Sequence, residues 1–303
     1  MPPVPPTPHP APTPALPTVP IAVRRFDLAA TLDSGQVFHW RRFDDGFIGL
    51  IDRTPVFLKQ VEPTRLLVTP GTETAVAHYL ALDHDLEAIT ATFPQNDPSL
   101  ARAVAYAPGL RLIRQPAWEC LATFITSSLK QVAHISQISH ALRQQFGQPV
   151  TWDGPTLHTY PEPAALAAAG TRLLQECRLG YRARYLADTA DMIASGSLNL
   201  SFLNDPTVSD HDALAHLQRA PGVGPKVAAC VLLFAGERLG FFPIDVWIER
   251  TLKELYFKEE THVPTEKLAA FARQHFGPYR GYAQQFLFHY ARTSAATPHK
   301  RRP

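Results

Sequence analysis

Read as a pattern of apolar and polar positions, the chain changes character twice. Residues 1–22 carry no periodic pattern and are dominated by proline with Ala, Thr and Val. Such a composition favours extended, unpaired backbone and predicts a disordered arm. From Ile21 to about Pro70 short apolar runs alternate with polar residues. Phe26, Leu28 and Leu32 come first, then Val37-Phe38-His39-Trp40, Gly46-Phe47-Ile48-Gly49-Leu50-Ile51 and Val56-Phe57-Leu58. Asp44-Asp45-Gly46 and Arg53-Thr54-Pro55 supply turns between them, so an antiparallel meander is predicted. From Glu73 the spacing becomes helical, with Val76, Tyr79 and Leu80, then Leu86 and Ile89. Pro116 opens a helix whose Leu121, Phe124 and Ile125 face a core and which ends at Ser127-Ser128. His134 to Phe146 repeats the pattern through Ile135, Ile138 and Leu142. The fold class is α+β: the arm over 1–22, a small antiparallel sheet domain with helices over 23–105, a mainly α-helical body over 106–296 and a basic tail over 297–303.

One stretch of the helical body holds most of the chemistry, LQRAPGVGPKVAACVLLFAGERLGFFPIDVWIER from Leu217 to Arg250. Gly222 and Gly224 allow a tight turn and bring backbone N–H groups close to whatever lies against them. The turn precedes a helix start, where exposed N–H groups and the positive helix end suit a phosphate. Lys226 sits in the first turn of a helix that has almost no polar face from Val227 to Ala235, so that helix is mostly buried. Pro243 disfavours helix before it, and Asp is a preferred N-cap, so Asp245 is expected to cap the helix carrying Ile248, Leu252, Leu255 and Tyr256. A capping carboxylate is fixed in direction and suits a site that develops positive charge. Taken singly, the hairpin reads equally as a plain phosphate grip, Lys226 as a phosphate contact and Asp245 as a structural cap. Together they form a plausible site for chemistry on a DNA sugar.

The bulk numbers narrow the partners. A formal charge of only +2 means that nucleic-acid affinity must come from local patches. One candidate runs from Arg102 to Arg143, where Arg111, Arg114 and Lys130 are opposed only by Glu119, although such a run also reads as a solvated face. Three scattered cysteines, Cys120, Cys177 and Cys230, argue against a disulfide framework and for a reducing compartment. No apolar run is long enough to span a bilayer, and residues at the N-terminus lack a secretory pattern. The expectation is an intracellular, DNA-associated protein of the cytoplasm, nucleoid or nucleus, with no membrane contact.

The hairpin, Lys226 and Pro243-Ile244-Asp245-Val246 together resemble the helix-hairpin-helix DNA glycosylase superfamily. Within it, the chain from about Phe26 to Arg292 looks like an 8-oxoguanine DNA glycosylase/AP lyase of the eukaryotic type. The resemblance implies that Lys226 is the nucleophile and Asp245 its electrostatic partner. Gly35, within Ser34-Gly35-Gln36-Val37-Phe38-His39-Trp40, matches the glycine whose carbonyl accepts the N7–H that 8-oxoguanine has and guanine lacks. Gln284 and Phe288, spaced to share one helix face, match the residues that read and stack on the base. Cys230, one turn after Lys226, matches the residue on its other face. Tyr181 and Arg182, in Leu179-Gly180-Tyr181-Arg182-Ala183-Arg184-Tyr185, match a duplex wedge and a contact to the opposite base. The resemblance further implies a structural monovalent cation at the hairpin carbonyls, no catalytic metal and no other cofactor. The four-cysteine iron–sulfur cluster of some relatives lacks its ligands here. The partner implied is double-stranded DNA containing oxidised guanine, bound by a monomer.

Three positions depart from the family pattern. Leu129, in the DNA-facing loop with Lys130 and Gln131, stands where an asparagine fills the gap left by the flipped base. His134 stands where an arginine reads the opposite cytosine, and it lacks the bidentate fork that makes arginine selective. Trp247 replaces a histidine near the lesion's 5′ phosphate. A relaxed opposite-base preference is therefore expected. The alternatives are a glycosylase/lyase of broader oxidised or alkylated base range, and a silent DNA-binding module.

Overall fold

A computed structural model describes residues 16–127 and 130–294. Leu129 lies outside the described residues, as do residues 1–15 and 295–303. In chain order the elements are β1 (Val19–Ala22), α1 (Leu28–Leu32), β2 (Arg41–Phe43), β3 (Gly46–Ile51), β4 (Thr54–Glu62) and β5 (Arg65–Val68). Then come α2 (Glu73–Tyr79), α3 (Leu86–Ala91), α4 (Pro98–Tyr106), α5 (Ala117–Ser127), α6 (Val132–Phe146) and the short pair β6 (Pro149–Val150) and β7 (Leu157–His158). The remainder is helical: α7 (Pro163–Glu176), α8 (Arg182–Ala194), a 3₁₀ turn (Ser201–Asn204), α9 (Asp210–Leu217), α10 (Pro225–Phe234), α11 (Val246–Tyr256), α12 (Thr265–His275) and α13 (Arg280–Ser294).

The sheet has the order β1-β5-β4-β3-β2 and is antiparallel throughout. Its first strand corrects the arm boundary: Val19 pairs with Val68 and Ile21 with Leu66, so pairing begins inside the span read as unpaired. Phe26, Leu28 and Leu32 do not continue the meander either. Asp27 accepts a hydrogen bond from the Ala30 N–H and starts α1, which places Leu28 and Leu32 one turn apart on a buried face. Val37 to Trp40 joins no ladder; His39 Nε2 instead donates to the Leu50 carbonyl at 2.8 Å. β3 is buried along its whole length. Its Phe47 and Ile51 join one apolar core with Leu58, Val68 and Tyr79, while Ile48 and Leu50 pack with Phe57 and Leu157 on the other face.

A second, larger core is helical. Leu86, Ile89, Phe93, Leu100 and Ala103 belong to it together with α5, α10, α11 and α13, so α3 and α4 pack with the body rather than the sheet. Gln36 couples the two cores. Its amide donates to the Thr31 and Arg111 carbonyls and accepts from the Ile113 N–H, pinning the backbone beside Gly35.

The run of basic residues read as a DNA patch is mostly internal. Arg111 is buried and donates to the carbonyls of Ala81, His84, Arg24 and Arg25. Arg114 pairs with Asp83 and Glu237. Arg143 pairs with Glu119, which also lies 3.1 Å from His39. Burial alone would raise the Glu119 carboxyl, but Arg143 and His39 outweigh it and hold the group at about 2. Its stabilising effect is thus present at neutral pH and is lost as pH falls from about 4.5 toward 2. Glu119→Ala leaves a buried guanidinium without its counter-charge and is expected to cost about 3–5 kcal/mol in urea unfolding. A loss below about 1 kcal/mol would show that the cluster contributes little.

Candidate active site

The hairpin is built from α9, a turn and α10. Ser209 caps α9 by accepting from the Asp212 N–H at 3.1 Å. After α9 the chain turns at Pro221-Gly222, where the Val223 N–H donates to the Ala220 carbonyl and the Val223 side chain is buried. The two glycines are not equivalent. Gly222 has φ +78, and a Cβ there would fall 2.6 Å from the Tyr185 ring. Gly224 has φ −88 and nothing within 4 Å of a Cβ. No side chain caps α10 at Gly224, so its first-turn N–H groups remain for an anion such as phosphate. Gly222→Ala is expected to lose about 1–3 kcal/mol of stability and to weaken duplex binding, because both the backbone and Tyr185 must shift. Gly224→Ala is expected to cost well under that. Denaturant unfolding and duplex titration of the two proteins check the contrast.

Beyond the hairpin, residues separated by some 250 positions in the sequence line one cavity of about 40 Å³. Lys226, Cys230 and Phe234 come from α10, Phe124 from α5, Pro243 from the segment before α11, and Asp245 from its cap. Gln284, Gln285 and Phe288 come from α13, and Gly35 from the loop after α1. The Lys226 Nζ lies 5.2 Å from the centroid of the Phe124 ring, which itself stacks on Phe234 at 5.5 Å. Lys226 also hydrogen-bonds the Cys230 side chain; burial pushes that thiol up, and the lysine opposes the rise. Asp245 Oδ1 accepts from the Ile248 N–H at 2.8 Å, so one carboxylate oxygen is held while the group faces the cavity. The expected cap is therefore present.

The opposite wall explains the glycine at position 35. Its φ is +83, and a Cβ there would meet Phe288 at 3.1 Å and Val132 at 3.2 Å. Phe288 is held in place by the Arg292 guanidinium, 5.7 Å from its centroid, and Arg292 in turn donates to the Asp33 carbonyl. Gln284 is 5% exposed and no protein donor reaches its Oε1, whereas neighbouring Gln285 donates to the Ser34 carbonyl. A cavity of this size holds no more than a few waters. A purine can enter only if Phe288 leaves the Gly35 wall.

The residues expected to touch DNA fall outside this cavity. Tyr181 is 59% exposed, standing edge-on against Tyr185, with the Arg182 guanidinium 4.3 Å from its ring centroid. Arg182 itself is buried, with its guanidinium against that ring. Gln131 and His134 are exposed at the start of α6, while Lys130 donates to the Arg178 carbonyl at 3.3 Å. Trp247 is 42% exposed in the first turn of α11, with Arg250 5.8 Å from its ring and the exposed Val246 beside it. Phe124, Phe234, Pro243 and Gln285 were not singled out from the sequence as site residues. The apolar spacing of Phe124 and Phe234 marks them as core, and the packing of α5 against α10 brings them beside Lys226, while Gln285 is placed by its bond to the Ser34 carbonyl. Among the described residues, no group of three or more His, Cys, Asp or Glu could hold a metal ion, so a cation at the hairpin would rest on backbone carbonyls. No helix of the described residues is long and apolar enough to cross a membrane.

Comparison with known proteins adds two family models that meet end to end. Residues 18–121 match the 8-oxoguanine DNA glycosylase N-terminal domain, and residues 122–276 match the HhH-GPD superfamily of base excision DNA repair proteins. A probable N-glycosylase/DNA lyase of Methanothermobacter thermautotrophicus is 28% identical, the alignment covering 90% of this chain and 96% of that protein. A structure of MBOgg1 in complex with a low affinity DNA ligand superimposes with a TM-score of 0.86 at 32% identity, over 92% of this chain and 96% of that one. The Clostridium acetobutylicum 8-oxoguanine glycosylase/lyase, in complex with double-stranded DNA containing cytosine opposite 8-oxoguanine, gives 0.83 at 29% identity, over 90% and 93%.

Proposed function

Since the chain belongs to the 8-oxoguanine DNA glycosylase family of the HhH-GPD base excision repair superfamily, we propose that both of its activities run through one lysine. It is a DNA N-glycosylase and AP lyase that removes 8-oxoguanine from duplex DNA. The target nucleotide is extruded from the stack, as base-modifying enzymes require. Phe288 swings off the Gly35 wall, and the base enters between it and Cys230. The Gly35 carbonyl accepts the N7–H of the lesion; undamaged guanine presents an acceptor there, and two facing acceptors without a donor are unfavourable. Gln284, whose Oε1 has no protein donor, meets the Watson–Crick edge.

The neutral amine of Lys226 attacks C1′ and the glycosidic bond breaks, its electrons leaving with the base, which takes up a proton. Asp245 stabilises the positive charge that develops on the sugar, its direction fixed by the Ile248 N–H. The carbinolamine ether opens to a Schiff base between Nζ and C1′. Loss of a C2′ proton then expels the 3′ phosphate and nicks the strand, and water releases the lysine. The observation that carries this reading is the convergence of Gly35, Lys226, Cys230, Asp245, Gln284 and Phe288 on one cavity. A monomer acting wherever DNA is kept suffices for every step.

His134 and Trp247 set the finer properties. His134 is exposed and offers single hydrogen bonds where a bidentate arginine would discriminate by about 1–3 kcal/mol. Single-turnover base release opposite cytosine is therefore expected to exceed release opposite adenine, guanine or thymine by no more than about tenfold. A preference above about a hundredfold would refute relaxed pairing. Trp247 is placed to pack on the sugar–phosphate backbone rather than to donate to it. Borohydride trapping on a duplex with one 8-oxoguanine tests the mechanism: a lesion-dependent covalent adduct supports it, and base release without an adduct refutes the Schiff base.

A further inference from the structure

We propose that a second, cationic cavity, separate from the catalytic one, binds a small free tetrahedral oxyanion of the sulfate or inorganic phosphate class. It has a volume of about 60 Å³ and lies where four segments meet. His39 and Arg41 follow the Gly35 loop, Gly49 and Leu50 belong to β3, His140, Arg143 and Gln144 come from α6, and Thr156 to His158 come from the β7 strand and the turn before it. No lining residue is shared with the cavity around Lys226. The walls carry two guanidiniums and three imidazoles and no carboxylate. Glu119, which lies against two of the wall residues, is already engaged by Arg143 and His39.

The hydrogen-bond pattern leaves nitrogen atoms that an anion would satisfy. His140 Nδ1 lies 2.7 Å from the Ser136 carbonyl, which can only accept, so Nδ1 carries the proton. Its Nε2 is buried with no protein partner, and so is Nε of Arg143, a residue only 4% exposed. His39 lies at the same wall: its Nε2 donates to the Leu50 carbonyl and its Nδ1 lies 3.1 Å from the Glu119 carboxylate. Burial, with the charge of Arg143, pushes His39 down; burial, with His39, Arg41 and Arg143, pushes His140 down. Water could fill the space but would add no charge. An oxyanion would offset the guanidiniums and turn His140 Nε2 into a donor on protonation. Its binding is thus linked to proton uptake and strengthens as pH falls. The bound anion would brace the segment after Gly35 against α6, whose Val132 a Cβ at Gly35 would meet at 3.2 Å.

The test uses sulfate, which keeps its charge across the range where histidine titrates, with chloride at matched ionic strength as control. Imidazole nitrogen–proton NMR spectra and thermal unfolding of the full chain are followed as sulfate is added. The expected result is a saturable shift of the His140 resonances, an upward move of its titration midpoint, and a saturable rise in Tm. Affinity should be on the order of tenfold tighter near pH 6 than near pH 8. His140→Ala and the half-exposed Arg41→Gln should each abolish the sulfate response while remaining folded. A sulfate effect no larger than that of chloride would overturn the proposal. So would a response that persists in both variants, which would place the anion elsewhere, such as at the hairpin. A His140 response to undamaged duplex but not to sulfate would also overturn it, in favour of a DNA backbone phosphate.

Discussion

Lys226→Gln is expected to give no borohydride-trapped adduct and no strand nicking on a duplex containing 8-oxoguanine, while binding that duplex within a few-fold of wild type. The amide nitrogen of glutamine has its lone pair delocalised and cannot attack C1′, so the loss should be on the order of 10⁴-fold or more in single-turnover rate. The structure gives reasons why the protein should still fold. Lys226 is only half-buried, its ammonium rests over Phe124 at 5.2 Å, and its other contact is the Cys230 side chain. Removing a cation from an aromatic face costs about 0.5–2 kcal/mol, and glutamine can still hydrogen-bond the thiol. The hairpin N–H groups and the exposed Tyr181 and Trp247 are untouched by the change, so binding survives. Binding lost in parallel with chemistry would instead make Lys226 a phosphate contact, and a fully active variant would move the nucleophile elsewhere.

What could be read in the chain without coordinates was chemistry whose parts are neighbours in sequence. Pro221 to Lys226 and Pro243 to Val246 carry their turn, cap and helix signals within a few residues, and α10 and α11 start where those signals put them. The apolar run after Lys226 likewise forms a buried helix. Features decided by distant partners were not legible. Arg111, Arg114 and Arg143 look like a basic surface until Glu119, Asp83, Glu237 and the carbonyls of Ala81 and His84 fold against them. Leu28 and Leu32 fit either period, and the Asp27 cap decides for helix. β1 has no strand pattern of its own; it is a strand because β5 offers a free edge to Val19 and Ile21. Phe124 and Phe234 look like ordinary core residues, and they are, except that the core stops beside Lys226.

Asp245 performs two jobs in the structure, and its variants should separate them. As the cap of α11 it accepts the Ile248 N–H at 2.8 Å; as an anion beside Lys226 it faces the cavity in which the sugar cation forms. Asparagine is as good a cap as aspartate, because its carbonyl oxygen can accept the same N–H. Asp245→Asn should therefore lose less than about 1 kcal/mol, mostly the attraction between the carboxylate and the helix N-terminus. Its base-release rate should nevertheless fall about 10²–10³-fold, the scale on which one preorganised electrostatic group acts in a water-excluded site. Asp245→Ala removes both functions and should add about 1 kcal/mol of lost cap to a similar rate defect. Denaturant midpoints set beside single-turnover rates for the two proteins make the comparison. Were Asp245→Asn to cut sites at nearly the wild-type rate, the carboxylate would be a cap alone. Were it to unfold as readily as Asp245→Ala, the rate loss would say nothing about charge. The distinction rests on what asparagine keeps and what it loses: an oxygen that accepts from the Ile248 N–H is retained, and the charge beside the cavity is not.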